Sequence, residues 1–122
     1  MGSPITCHVL DASLGRPASG ITAILSRLSH DGQSATVIST GETNHDGRIP
    51  ALVPDSAKEA LQWSQGGTFR ITFRTKEYFD RTGRQSFYPF VDVNFTIPAN
   101  PEGHYHVPLL LSPFSYTTYR GS

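Results

Sequence analysis

Residues 68–75 read Thr68-Phe69-Arg70-Ile71-Thr72-Phe73-Arg74-Thr75. In an extended chain Phe69, Ile71 and Phe73 fall on one side and Arg70, Thr72 and Arg74 on the other, the period-two alternation of a half-buried strand. The same reading extends outward in both directions. Residues 87–97 set Val91, Val93, Phe95 and Ile97 against Phe90, Asp92, Asn94 and Thr96. Residues 21–28 and 35–40 read as strands separated by the polar turn 29–33, with His30-Asp31-Gly32 inside it. Near the start, Ile5, Cys7 and Val9 alternate with Thr6, His8 and Leu10; near the end, residues 104–111 and 113–120 meet at Ser112-Pro113. A second turn, Asn44-His45-Asp46-Gly47, carries the Asp-Gly signal of a tight reversal. Short strands bounded by turns at this density predict a mainly β chain, an antiparallel sandwich or barrel. Only residues 55–63 (DSAKEALQW) and 76–82 (KEYFDRT, ahead of Gly83) have helical character, a turn or two each.

The whole chain, 122 residues, is expected to form a single domain, 1–122. Ten Lys plus Arg balance ten Asp plus Glu. That neutrality argues against a nucleic-acid partner, which selects a basic excess. Charged residues make up 16% of the chain, below the ~25% of average domains, and a surface partly covered by another subunit would account for it. The single cysteine, Cys7, excludes an intrachain disulfide framework and a multi-thiolate metal site. No apolar run approaches the ~20 residues of a membrane span, and MGSPITCHVLD lacks the basic and apolar regions of a secretory signal. The expectation is a soluble, intracellular protein without membrane association.

Histidines and arginines are the candidates for chemistry. His104 and His106, two apart, share a strand face, while Val107, Leu109 and Leu111 take the opposite one. His8 lies opposite Ile5, Cys7 and Val9, so it too points away from the apolar side. Two site chemistries fit these residues. His8, His104 and His106 are the right ligand types for zinc with an open position. Alternatively, a neutral imidazole activates water while Arg48, after the Asp46-Gly47 turn, and Arg120 hold a planar, carbonyl-rich substrate. Cys7 cannot pair with His8, because adjacent strand residues face opposite ways, and it reads as a small core residue. No G-x-S-x-G nucleophile elbow and no phosphate loop is present. Into the ending Thr117-Thr118-Tyr119-Arg120-Gly121-Ser122, a strand with Phe114, Tyr116 and Tyr119 is expected to run almost to the last residue. Chain ends fray unless tied down, so an ordered end here points to a site.

Three segments carry a likeness to a known family: Ile5-Thr6-Cys7-His8-Val9-Leu10-Asp11 with Gly15-Arg16-Pro17-Ala18; Thr43-Asn44-His45-Asp46-Gly47-Arg48; and the closing HYHVPLLLSPFSYTTYRGS. With Phe87-Tyr88-Pro89 they span nearly the whole chain, which resembles the transthyretin-like 5-hydroxyisourate hydrolases of urate degradation. The final Tyr-Arg-Gly-Ser is that family's hallmark, absent from transthyretin, the hormone carrier of the same fold. The resemblance implies an eight-stranded antiparallel β-sandwich of prealbumin type with one short helix at residues 76–82. It also implies a homotetramer built as a dimer of dimers and a small-molecule substrate, with neither cofactor nor metal. Carried over by motif, the catalytic set falls on His8, Arg48, His106 and Ser122. Substrate binding falls on His8, Arg48, Tyr119, Arg120, Gly121 and Ser122. The implied reaction is addition of water to C6 of 5-hydroxyisourate, giving 2-oxo-4-hydroxy-4-carboxy-5-ureidoimidazoline. A non-catalytic carrier of thyroid hormone is the alternative, though His8, His106 and Tyr119 are polar and bulky for such a channel. The family's distribution, with no C-terminal Ser-Lys-Leu here, suggests a cytoplasmic or peroxisomal location.

Overall fold

A computed structural model of the chain describes residues 2–122. Its strands are β1 (Ile5–Asp11), β2 (Arg16–Pro17), β3 (Thr22–Leu28), β4 (Ala35–Glu42), β5 (Gly67–Phe73), β6 (Val91–Ile97), β7 (Tyr105–Ser112) and β8 (Ser115–Thr118). They form two four-stranded sheets, ordered β2-β1-β7-β8 and β4-β3-β5-β6. Period-two burial drives both. On β1, Ile5, Cys7, Val9 and Asp11 are buried, and on β5 it is Phe69, Ile71 and Phe73, so each sheet turns one face into a shared core. Burying each large aliphatic or aromatic side chain of this kind contributes ~1.5–3 kcal/mol. Cys7 lies within the core, only 1% exposed, and burial pushes its thiol up to about 12, so it is inert packing.

The expected eight-stranded β-sandwich is therefore the architecture, with three local differences from expectation. One strand pair is not antiparallel: β1 and β7 run parallel, with Ile5 opposite Tyr105 and Asp11 opposite Leu111. Strands joined by short turns pair antiparallel, but these two are separated by nearly the whole chain, so no turn constrains their direction. The expected single helix is present as α2 (Thr75–Arg81), and a second, four-residue helix, α1 (Lys58–Leu61), forms inside the other helical segment. Arg27 from β3 holds the end of α1, donating to the carbonyls of Leu61 and Gln62. Finally, the two-residue β2 was not legible as a strand, and β6 begins at Val91 rather than at residue 87. Phe87 through Phe90 form an exposed loop, with Phe87 hydrogen-bonded through its N–H to the Pro113 carbonyl.

Candidate active site

The outward face of β1 and β7 carries the site. Parallel register sets Thr6 opposite His106 and His8 opposite Pro108, so the two imidazoles lie on adjacent strands and the same face, two residues apart along the ladder. Thr6 Oγ1 and His106 Nδ1 are 2.8 Å apart and hydrogen-bonded.

Arg48 arrives from the turn that follows β4. Asn44 builds that turn: its side-chain oxygen accepts from the N–H groups of Asp46 and Arg48, and its carbonyl accepts from Gly47. Gly47 adopts φ +75°, and a Cβ there would sit 2.3 Å from the Val9 carbonyl oxygen, so only glycine lets the turn lie against β1. The Gly47 carbonyl accepts from Val9 N–H at 2.8 Å, and Arg48 forms a bridge with His8. The Asp-Gly reversal was legible in the sequence; its attachment to β1 was not.

The C-terminal tetrapeptide closes over the site. Gly121 N–H donates to the His106 carbonyl at 3.0 Å and forms an isolated bridge with it. A Cβ on Gly121 would lie 2.7 Å from His106 Cδ2 and 2.9 Å from Pro108 Cγ. The chain end can therefore cross the imidazole only because residue 121 has no side chain. The strand expected over 113–120 ends at Thr118, and it is the Gly121–His106 contact, not a continued strand, that ties down the chain end.

Two cavities adjoin His106. One, of about 440 Å³, is lined by Thr6, Arg48, His104, His106 and Ser122 among others. The other, of about 410 Å³, is lined by His106 with Tyr119, Arg120 and Tyr105. Arg120 stacks its guanidinium over the Tyr105 ring, 4.6 Å from the centroid. Within one chain the structure thus gathers His8, Arg48, His106, Gly121 and Ser122, and holds Tyr119 and Arg120 on the far side of the shared imidazole. His104 lies just before β7, exposed, and lines the first cavity with His106. Among the described residues no three His, Cys, Asp or Glu side chains are placed to hold a metal ion, so His8, His104 and His106 do not form the zinc set that their types allowed.

Electrostatics bias both imidazoles toward the neutral form. Burial lowers the His106 pKa from its ordinary 6.5, and the charge of Arg48 and the neighbouring His8 and His104 lower it further. Burial and Arg48 also lower that of His8, against a partial offset from Asp46. A neutral imidazole beside a guanidinium, on a wall open to a cavity, can take a proton from water while the cation stabilises a developing oxyanion. Thr6 is the site residue that sequence reading missed. Its contact depends on strand register, for which the sequence carries no local signal.

Comparisons with known proteins bear on this geometry. A family model described as HIUase/Transthyretin matches residues 5–121. The 5-hydroxyisourate hydrolase of Mus musculus is 47% identical over 120 residues, covering 98% of this chain and 96% of the mouse protein. Among solved structures, transthyretin from Sparus aurata superposes with a TM-score of 0.83 at 35% identity, covering 97% of this chain and 96% of the transthyretin. The 5-hydroxyisourate hydrolase of Klebsiella pneumoniae superposes with a TM-score of 0.75 at 33% identity, covering 98% and 99%. With the family model matching residues 5–121 and these relatives aligned almost end to end, this chain belongs to the HIUase/Transthyretin family.

Proposed function

We propose that this protein is a 5-hydroxyisourate hydrolase. The observation that carries the reading is the convergence of Arg48, His8 and the Thr6-held His106 beneath Gly121 and Ser122. In the proposed reaction His106 takes a proton from water as the water oxygen bonds to C6 of the substrate. Arg48 stabilises the negative charge developing on the C6 oxygen. The C6–N1 bond then breaks, and His106 returns its proton to N1, so that one water is consumed and the ring-opened acid, 2-oxo-4-hydroxy-4-carboxy-5-ureidoimidazoline, is released. The lowered ring pKa values support this assignment, because the base form is populated at neutral pH. Ser122, Tyr119 and Arg120 border the same imidazole from two sides and would orient the planar substrate.

Backbone likeness alone does not choose between hydrolase and carrier, since a transthyretin superposes at least as well as a hydrolase. The site chemistry favours the hydrolase: a hormone carrier has no use for a neutral imidazole pair beside a guanidinium. We also infer a homotetramer, a dimer of dimers. Strand β8 is exposed along its whole length at a sheet edge, with exposed Phe114 just before it, Phe87 bonded to Pro113 and Tyr88 against Tyr116. Such an edge invites pairing with a second copy. Freshly generated 5-hydroxyisourate, made by urate oxidase, should lose its absorbance faster when the protein is added. Unaltered decay together with tight thyroxine binding would overturn the hydrolase in favour of the carrier.

A further inference from the structure

We propose that Thr6 is a positioning residue of this site: its hydroxyl holds the His106 ring by Nδ1, so that Nε2 is the nitrogen offered to the cavity. This rests on the reading that His106 carries the proton. The geometry is built by register. Thr6 sits opposite His106 in the parallel β1–β7 pair, on the outward face, and the hydroxyl-to-ring distance is 2.8 Å. A shift of one residue in either strand would remove the contact, because it would turn a core residue such as Ile5 or Cys7 toward the ring's side of the ladder.

The ring has two nitrogens, and only Nδ1 has a protein hydrogen-bond partner among the described residues. A hydroxyl can donate or accept, so in isolation it fixes position and not tautomer. The reaction supplies the preference. For Nε2 to take a proton from water, the neutral ring must carry its hydrogen on Nδ1, donated to Thr6 Oγ1. The choice of a neutral hydroxyl rather than a carboxylate also matters. A carboxylate behind the ring would favour the imidazolium, whereas the groups facing His106 here, Arg48, His8 and His104, all work against it. Thr6 can orient the ring without undoing that effect.

The test pairs Thr6→Val, nearly isosteric and without the hydroxyl, with Thr6→Ser, which restores it. Valine suits a strand, so the fold should survive, as thermal unfolding would verify. With 5-hydroxyisourate, kcat of Thr6→Val should fall roughly 10–100-fold, the range seen for groups that orient a histidine from behind, with KM changed far less. Thr6→Ser should recover most of that loss. Nitrogen-15 shifts of the His106 ring should report the Nδ1–H form in the parent protein and a mixed or reversed tautomer in Thr6→Val. Parental kcat in Thr6→Val, or an unchanged ring tautomer there, would overturn the proposal while leaving the hydrolase standing. A parent protein without turnover would overturn the hydrolase reading itself, and the ring shifts would then decide the role of Thr6 alone.

Discussion

Asp11 and His8 lie three residues apart on β1, on opposite faces, and each organises a polar cluster. Around Asp11, inside the sandwich, every acceptor position is used. Oδ1 accepts from Ser13 N–H, Ser13 Oγ and Leu14 N–H; Oδ2 accepts from Tyr78 Oη and Arg84 Nη2, both at 2.6 Å. Arg84 is occupied in turn, donating to Ser13 Oγ and Thr82 Oγ1 and lying over the Phe79 ring. Around His8 the opposite holds. The Arg48 guanidinium has no hydrogen-bond or ion-pair partner among the described residues, and His106 uses one ring nitrogen. Both clusters perturb their titratable groups, so perturbation does not separate structure from function here. Saturation does: a buried carboxylate must be fully bonded to be tolerated at all, whereas a reactive site keeps donors and acceptors free for a molecule that comes and goes.

The sharpest way to break this contrast is Arg48→Ala. The side chain is exposed and has no bonded partner among the described residues, so stability should hold while turnover of 5-hydroxyisourate falls by roughly 10²–10³. A drop in melting temperature with activity retained would mean that Arg48 belongs to the scaffold. Asp11→Asn should do the reverse, lowering unfolding free energy by about 3 kcal/mol because Arg84 loses its buried partner, with kcat per folded molecule kept. Urea midpoints and active-site-normalised rates would check both halves. Gly121→Ala sharpens the boundary between the two regions. Displacing His106 by a fraction of an ångström should cost turnover up to about 10²-fold with little change in stability, readable as kcat against thermal midpoint.

The smallest effect is a separation in pH. The His106 and His8 pKa values lie below 6.5, so the acid limb of kcat/KM should also lie below pH 6.5, each ring losing its role as it gains a proton. Asp11 is different. Burial would raise its pKa, but hydrogen bonds from Arg84, Ser13 and Tyr78 outweigh that and hold it to about 2. An unfolded aspartate titrates near ~3.9, so the stability that Asp11 contributes is complete above that pH and is lost as pH falls toward 2. The two lowered imidazoles contribute in the same sense over the window below 6.5. Activity should therefore fade on acidification while circular dichroism still reports a folded protein; simultaneous loss of both would erase the distinction.

Local alternation was enough to read most of the sandwich from the residues. The odd positions of β1, Phe69-Ile71-Phe73 on β5 and Val107-Leu109-Leu111 on β7 face inward as the period-two pattern requires, and His8 and His106 face outward for the same reason. The Asp-Gly turn and the short helix ending before Gly83 were equally legible, since each depends on residues close together in sequence. The parallel pairing of β1 with β7, the Thr6–His106 contact, the Gly47 and Gly121 close approaches and the division of Arg48 from Arg120 between two cavities were not. Periodicity determines which face a side chain takes, because that depends only on backbone pleat. Which groups meet on that face depends on the register of strands separated by about a hundred residues, and only the packed core, by admitting one alignment of the inward side chains, selects it.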